Sequence, residues 1–478
     1  MLRALVSRRA LAAAPRKTLV RTLLTQAYSK GPSEPRLLEQ TVGQHFASIV
    51  SQHGDRTAVI SRHQQRILTY EKLDLDSNRV ARGLAKLGVK KGDRVAVSLG
   101  NNIEFATITY ALFKLGAILV PLNPAFNVHQ VIAALAHLAA THLIIGLETN
   151  LPFKEPRSNV PLLTHLVPNL GATTHGSAIV FPTEAFDPVA TLRSVQEYKC
   201  TALYGVPTMF VAEFELLASG AVPSTGFEHL RTGIAAGSSI PAEIMRKLHK
   251  ILNLTELTIC YGMTETSPVS AMTTTDDPIA KRIETVGRLM PHVEAKIIDP
   301  ADRSRIVGID ERGELAVSGY LVMKEYWGDA ARTAEVMIPD EQGKVWMHTG
   351  DEASMDEEGY LRITGRIKDL IIRGGENIHP LEVENCLFGH DAIAEVSVVG
   401  LPDERYGEVV AAFIVKKHGA EVTADEARNW VREKLSGHLV PKYIFWVDTY
   451  PKTASGKIQK FKLREKGVQL VKEGKGLT

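Results

Sequence analysis

The feature that most constrains the fold is a repeating alternation of short apolar strands and helices between about Glu39 and Ile145. Residues 93–99 enclose Val95, Ala96 and Val97, a brief apolar run suited to a buried strand and launched from the turn Lys90-Lys91-Gly92-Asp93. Residues 105–115 read as a helix closed by Gly116, and 118–122 as a strand stopped by Asn123-Pro124. Residues 131–138 read as another helix and 142–145 as the next strand. Strands separated by helices pair in parallel, because the crossover returns the chain to the same end of the sheet. The expectation is therefore a doubly wound α/β domain.

The rhythm breaks over 150–176, a stretch rich in Pro, Asn, Thr and Gly, and resumes from Ser177 to about Lys250. Strand-rich, glycine-punctuated sequence runs from Val293 to Ile363. After Gly365-Arg366 the pattern becomes that of a small α+β domain. A helix over 380–388 has Pro380 in its first turn, strands follow at 396–399 and 409–415, and Thr423 with Glu426 forms a capping box opening a helix to Leu435. The expected divisions are a leader at 1–33, a large domain at 34–367 interrupted near 150–176, and a small domain at 368–478.

The leader differs in composition from the rest. It holds Arg3, Arg8, Arg9, Arg16, Lys17, Arg21 and Lys30, with no acidic residue before Glu34. Its longest apolar run, 10–14, is too short for a secretory core, and an Arg-rich, hydroxyl-containing, acid-free segment reads as a mitochondrial transit peptide. With those seven of the 56 basic residues set aside, the body has 49 bases against 54 acids, which argues against nucleic-acid binding. The final Gly476-Leu477-Thr478 is not a peroxisomal tripeptide of the S-K-L type, and the peroxisome and cytoplasm stand as alternative locations. Cys200, Cys260 and Cys386 lack metal-ligand spacing, and no apolar run is long enough for a membrane span.

Four polar segments carry candidate chemistry. Tyr261-Gly262-Met263-Thr264-Glu265-Thr266 follows an apolar strand over 257–260, and hydroxyls beside one carboxylate at a strand end suit a phosphate with Mg²⁺. His348-Thr349-Gly350-Asp351 is a turn ending in an acid that can accept both hydroxyls of a ribose. Gly365-Arg366-Ile367-Lys368-Asp369 supplies a guanidinium fork, and Arg373-Gly374-Gly375-Glu376-Asn377 a backbone that a ligand can approach closely. Pro451-Lys452-Thr453-Ala454-Ser455-Gly456-Lys457 presents a lysine on a small-residue loop. It is not a Walker A loop, since Pro451 and Ile458 stand where that pattern needs Gly and Ser/Thr.

Taken in this order, the four segments resemble the AMP-binding, adenylate-forming superfamily. Further matching segments are Gly205-Val206-Pro207-Thr208, residues 233–241, Val286-Gly287-Arg288 and Gly313-Glu314-Leu315. The stretches YGMTETSPV, RGGENIHPLEVE and PKTASGKIQKFKLRE look most like the mitochondrial acyl-CoA synthetases and their fungal relatives. The resemblance implies a ligase that activates a carboxylic acid, of the fatty class, with ATP and Mg²⁺ and transfers it to CoA. It further implies that Glu265 would ligand Mg²⁺ with Thr264 near the phosphates, and that Gly237 and Tyr261 would border the nucleotide. Asp351 would hold the ribose, Arg366 would contact ribose and phosphate, and Lys457 would bridge the carboxylate and α-phosphate. Lys368 would be the hinge, and Gly374 and Gly375 would line the path of CoA.

The sequence departs from the family at one place. The family's Ser/Thr/Gly-rich phosphate loop ending Pro-Lys-Gly has no counterpart here. The chain steps from Asn169-Leu170 into Gly171-Ala172-Thr173-Thr174-His175-Gly176 and family-like sequence resumes. An internal deletion is therefore expected, and with it two alternatives to an active CoA ligase. One is an impaired relative that only binds nucleotide, CoA or a partner. The other is an adenylating enzyme that loads a carrier protein.

Overall fold

The computed structural model describes residues 23–122, 128–145, 177–183, 186–236, 242–417, 419–452 and 458–477. Five sheets organise them. In the first lobe, Arg94–Ser98 is the central strand of a parallel trio, flanked by Ile118–Pro121 and His142–Ile145. Val95, Ala96 and Val97 are fully buried, as a strand covered on both faces requires. The adjoining helix Ile103–Leu115 starts where the Asn102 side chain accepts the Phe105 N–H at 2.8 Å, and stops at Gly116 in the left-handed conformation. A second trio pairs the hairpin Thr57–Ser61 and Arg66–Thr69 with Ile179–Phe181, the latter parallel to Thr57–Ser61. The expected interruption at 150–176 lies outside the described residues, and strand pairing resumes directly after it. On the exposed edge strand His142–Ile145, Leu143 and Ile145 are 42% and 56% exposed.

The second lobe carries the parallel strands Ala202–Gly205, Thr232–Ala235 and Glu256–Tyr261, continued antiparallel by Ala271–Met272 and Arg288–Leu289. Its core is Leu192, Phe210, Leu230, Met245, Leu248 and Leu257 with their neighbours. Next comes a six-stranded antiparallel sheet in the order Tyr28–Lys30, Val293–Ile298, Gly313–Gly319, Val345–Met355 and Met337–Pro339, with Leu361–Arg366 also paired to Val345–Met355. The expected leader at 1–33 overlaps this sheet. Tyr28–Lys30 bonds along Val293–Ile298, the Tyr28 hydroxyl donates to Glu294 at 2.7 Å, and Ala27 is fully buried. Removing 1–33 would strip an edge strand and open the core beneath it.

The small domain is a second antiparallel-rich sheet. Glu376–Ile378, Ile371–Arg373, Gly407–Lys416 and Ile393–Asp403 lie side by side, and Tyr443–Trp446 runs parallel to Gly407–Lys416. The helix Pro380–Phe388 begins at its proline as expected, and Thr423 and Glu426 close a capping box on Ala424–Lys434. The central hairpin exceeds its sequence reading because its ends are polar. Glu395, Pro402 and Asp403 break the apolar run, yet the ladder to the partner strand holds them extended. No helix among the described residues is long and apolar enough to cross a membrane.

Within the second lobe, helix Pro207–Ala218 buries Glu213 at 1% exposure, and its Oε2 has no hydrogen-bond partner among the described residues. Burial pushes this carboxyl up to about 8. An acid whose folded value exceeds its unfolded value stabilises the fold fully below the unfolded value, about 4.5, and loses that contribution as pH rises through 8. Glu213→Gln is therefore expected to match the parent near pH 4.5 and to exceed it by a few kcal/mol at pH 8, measured by urea unfolding across that range. A constant difference at every pH would refute this reading.

Candidate active site

Tyr261 ends the strand Glu256–Tyr261, and a single 3₁₀ turn, Thr264–Thr266, follows. The turn is tight because Gly262 lets the backbone fold onto Pro268: a Cβ at 262 would lie 1.6 Å from the Pro268 carbonyl oxygen. The buried Thr266 hydroxyl accepts the Met263 N–H at 3.1 Å and fixes the loop from inside. Thr264 is left exposed at the tip.

The same point is reached from the six-stranded sheet. Asp351 on Val345–Met355 stands directly opposite Arg366, the last residue of Leu361–Arg366. The Tyr261 hydroxyl donates to Asp351 Oδ2 at 2.6 Å, and Arg366 Nε lies 3.6 Å from Asp351 Oδ1. Burial, followed by the adjacent Asp351 carboxylate, holds the Tyr261 phenol well above its ordinary range, so it stays a donor at any physiological pH. Three residues 90 or more positions apart in part thus form one cluster, with the Arg366 side chain 65% exposed and able to turn toward a ligand.

Sequence reasoning gave Glu314 no role. It stands across the sheet from the His348–Asp351 turn. Its Oε1 accepts the Gly350 N–H at 3.2 Å, and its Oε2 lies 3.1 Å from His348 Nδ1. Burial alone would raise this carboxyl, but the hydrogen bond and charge of His348 and the Gly350 N–H hold it below the usual carboxylate range. The Thr349 hydroxyl donates to the Leu315 carbonyl at 2.8 Å and receives the Asp351 N–H at 3.1 Å. Asp351 is therefore aimed by a fixed turn. The signal was present in the sequence as Gly313-Glu314-Leu315, but nothing in that triplet names the turn it supports.

Glu265 meets Tyr326, also missed, whose hydroxyl donates to Glu265 Oε1 at 2.7 Å, while the Met323 N–H bonds the Glu265 carbonyl at 2.8 Å. Among the described residues, no side chain donates to Oε2 of Glu265. A single carboxylate oxygen suits Mg²⁺, which takes one or two carboxylates and completes its shell with phosphate oxygens and water. No group of three or more His, Cys, Asp or Glu able to hold a metal occurs among the described residues, so Glu265 would act with the phosphates and not within a protein cage.

Lys368 lies in a short 3₁₀ turn, Ile367–Asp369, between the sheet and the small domain. Gly374 and Gly375 form the following hairpin turn with φ of 62° and 88°, and the Gly374 N–H bonds the Tyr406 carbonyl at 2.7 Å. Lys457 and Gly237 lie outside the described residues. On either side of residues 453–457, Lys452 and Ile458 form an antiparallel bridge, and the Gln459 N–H bonds the Pro451 carbonyl at 2.8 Å.

The model of the AMP-binding enzyme family matches residues 46–169 and 162–327, and that of the AMP-binding enzyme C-terminal domain matches 382–457. The chain is 36% identical to Acyl-CoA ligase SID4 of Ajellomyces capsulatus, with 93% of this chain and 94% of that protein covered. That alignment runs over 556 positions, whereas 93% of 478 residues is about 445, so about 110 positions of the relative have no counterpart here. It is 32% identical to the mitochondrial Medium-chain acyl-CoA ligase ACSF2 of Danio rerio, covering 93% and 91%. In three dimensions it resembles ATP-bound MatB from Rhodopseudomonas palustris, with a TM-score of 0.76, 23% identity, and 90% and 99% of the chains covered.

A ribose held by Asp351 gives two graded expectations. Asp351→Ala should weaken AMP binding by about 2–3 kcal/mol, roughly fiftyfold, because a charged acceptor is lost. Tyr261→Phe leaves the carboxylate in place and should cost about 1 kcal/mol. Calorimetric AMP titration of the folded variants checks the order, and equal affinities for parent and Asp351→Ala would remove Asp351 from the nucleotide site.

Proposed function

This chain belongs to the AMP-binding enzyme family, among its acyl-CoA ligases, and we propose that it retains the nucleotide half of such a ligase while lacking the loop that holds the β- and γ-phosphates. The carrying observation is the Tyr261–Asp351–Arg366 cluster with Glu265 on the same loop, all on elements that follow the break. The deletion near 150–176 is supported by the two-part family match meeting at 162–169 and by the unmatched positions of the relative.

The lineage reaction has two steps. A carboxylate oxygen attacks the α-phosphorus of ATP, giving an acyl-adenylate and releasing pyrophosphate. The CoA thiol then attacks the acyl carbon, giving the thioester and releasing AMP. Asp351 and Arg366 would orient the ribose and α-phosphate for the first step, and Lys457 would stabilise charge on the transferring oxygens. Mg²⁺, held at Glu265, would neutralise the triphosphate. In the second step Gly374 and Gly375 would pass the thiol, after rotation about Lys368 removes Lys457. A fatty acid of medium chain length is the proposed substrate, supported by the name of the mitochondrial relative, and the basic leader supports mitochondrial import. Given the buried Ala27, cleavage is placed ahead of Leu24, and amino-terminal sequencing of organelle protein should find a start there.

A chain without the phosphate cradle should show little ATP–pyrophosphate exchange. Misplacement by about an ångström already costs on the order of a hundredfold. Inserting the relative's segment after Leu170 should restore exchange over a panel of acids. In that restored chain Lys457→Ala should lose adenylation, by about 3–4 kcal/mol of barrier, yet keep thioester formation from supplied acyl-adenylate. Equal exchange with and without the insert would overturn the reading of the gap. Transfer to a carrier protein but not to CoA would favour the carrier-loading alternative.

A further inference from the structure

Glu352 follows Asp351 on the same strand, and its side chain faces the other way, toward the small domain. There His379, the residue preceding the helix Pro380–Phe388, places Nδ1 3.1 Å from Glu352 Oε2, with the two side chains 7% and 10% exposed. The Thr364 hydroxyl donates to the same Oε2. His379 Nδ1 is not aligned for a hydrogen bond, so its contact with Glu352 is one of charge and packing. Thr364 precedes the Ile367–Asp369 turn and His379 follows it, so the contact exists only while the small domain is docked on this face. Phe388, at the far end of the same helix, packs against the second-lobe core and marks the other edge of the docked surface.

We propose that Glu352 and His379 form a latch that holds the small domain in this orientation and that opens in acid. A carboxylate taken out of water is costly unless partnered; Thr364, on the neighbouring strand of the same sheet, partners Glu352 in either state, and His379 is the partner that docking adds. The groups facing His379 are Glu352 and Arg312 from the large domain and Glu382 from its own helix. Of the neighbouring strand's cations, Arg362 is engaged by Glu284 and Arg366 by Asp351. Burial, with Arg312 adding and Glu352 and Glu382 opposing, lowers His379 below its ordinary value. A base lowered by docking leaves the docked state at full strength above about pH 6.5 and weakens it as pH falls through the lowered value. The rotation proposed above would have to break this contact, but the latch itself requires no turnover. Its failure would leave the ligase reading standing, and the reverse holds as well.

The test is hydrogen–deuterium exchange at the imidazole C2 position, read peptide by peptide across pH by mass spectrometry on the full chain. In the parent, His379 should titrate below its ordinary value, and its C2 proton should exchange more slowly than those of His390 and His438. In Glu352→Gln the latch predicts that His379 moves up toward about 6.5 and exchanges about tenfold faster, with His390 and His438 unchanged. If docking does not depend on Glu352, loss of its charge should drive His379 lower still at an unchanged slow rate, and that result overturns the proposal. Should Glu352→Gln unfold, seen as all three histidines exchanging alike, Glu352→Asp decides: the shorter carboxylate falls short of His379, so the latch predicts that His379 moves up and exchanges faster, and an unchanged value and rate overturn it. A parent His379 that exchanges as fast as His438 overturns the latch without any variant.

Discussion

The register between Val345–Met355 and Leu361–Arg366 is the constraint on which the site depends. It sets Asp351 opposite Arg366, and a one-residue slip would send both side chains to the wrong face. Tyr261 then arrives from a different sheet and closes the cluster at 2.6 Å. The register is pinned from behind by Glu314, whose two oxygens take the His348 ring and the Gly350 N–H. A buried carboxylate with every neighbour a donor fixes geometry more strictly than an apolar contact of the same size, because any displacement leaves it unpartnered.

Two consecutive acids on one strand therefore have different surroundings and different work. Asp351 meets a phenol and an exposed guanidinium, and the ribose hydroxyls of the proposed site would compete with these donors for its oxygens. Glu352 meets a hydroxyl and an imidazole from the other side of the hinge. Because the two face opposite ways, one strand carries the proposed nucleotide contact on one side and the proposed domain latch on the other.

The first lobe is organised differently. Among the described residues its two sheets have three strands each, and the edge strand His142–Ile145 leaves Leu143 and Ile145 about half exposed. Larger α/β sheets cover such edges, and an uncovered apolar edge favours association with other chains. Behind that edge the first lobe still has fully buried residues beneath both of its sheets, as do the second lobe and the six-stranded sheet.

By itself the sequence determined the local elements and the chemical types of the site. Asn102, Gly116, Pro380 and the Thr423–Glu426 box are start and stop signals written within a few residues, so they were legible without neighbours. Tyr261, Glu265, Asp351 and Arg366 were legible through motifs whose residue types fit a nucleotide. Their meeting was not, since register and sheet-to-sheet approach depend on contacts between residues about 90 positions apart. Nor were the roles of Glu314, Tyr326 and His379, because each acts through a partner that no spacing rule connects to it. The tertiary structure alone also decided that residues from Leu24 onward belong to the fold. A basic, acid-free composition continues to Ser33, but backbone pairing with Val293–Ile298 and the burial of Ala27 begin earlier, and hydrogen-bond ladders follow geometry rather than charge.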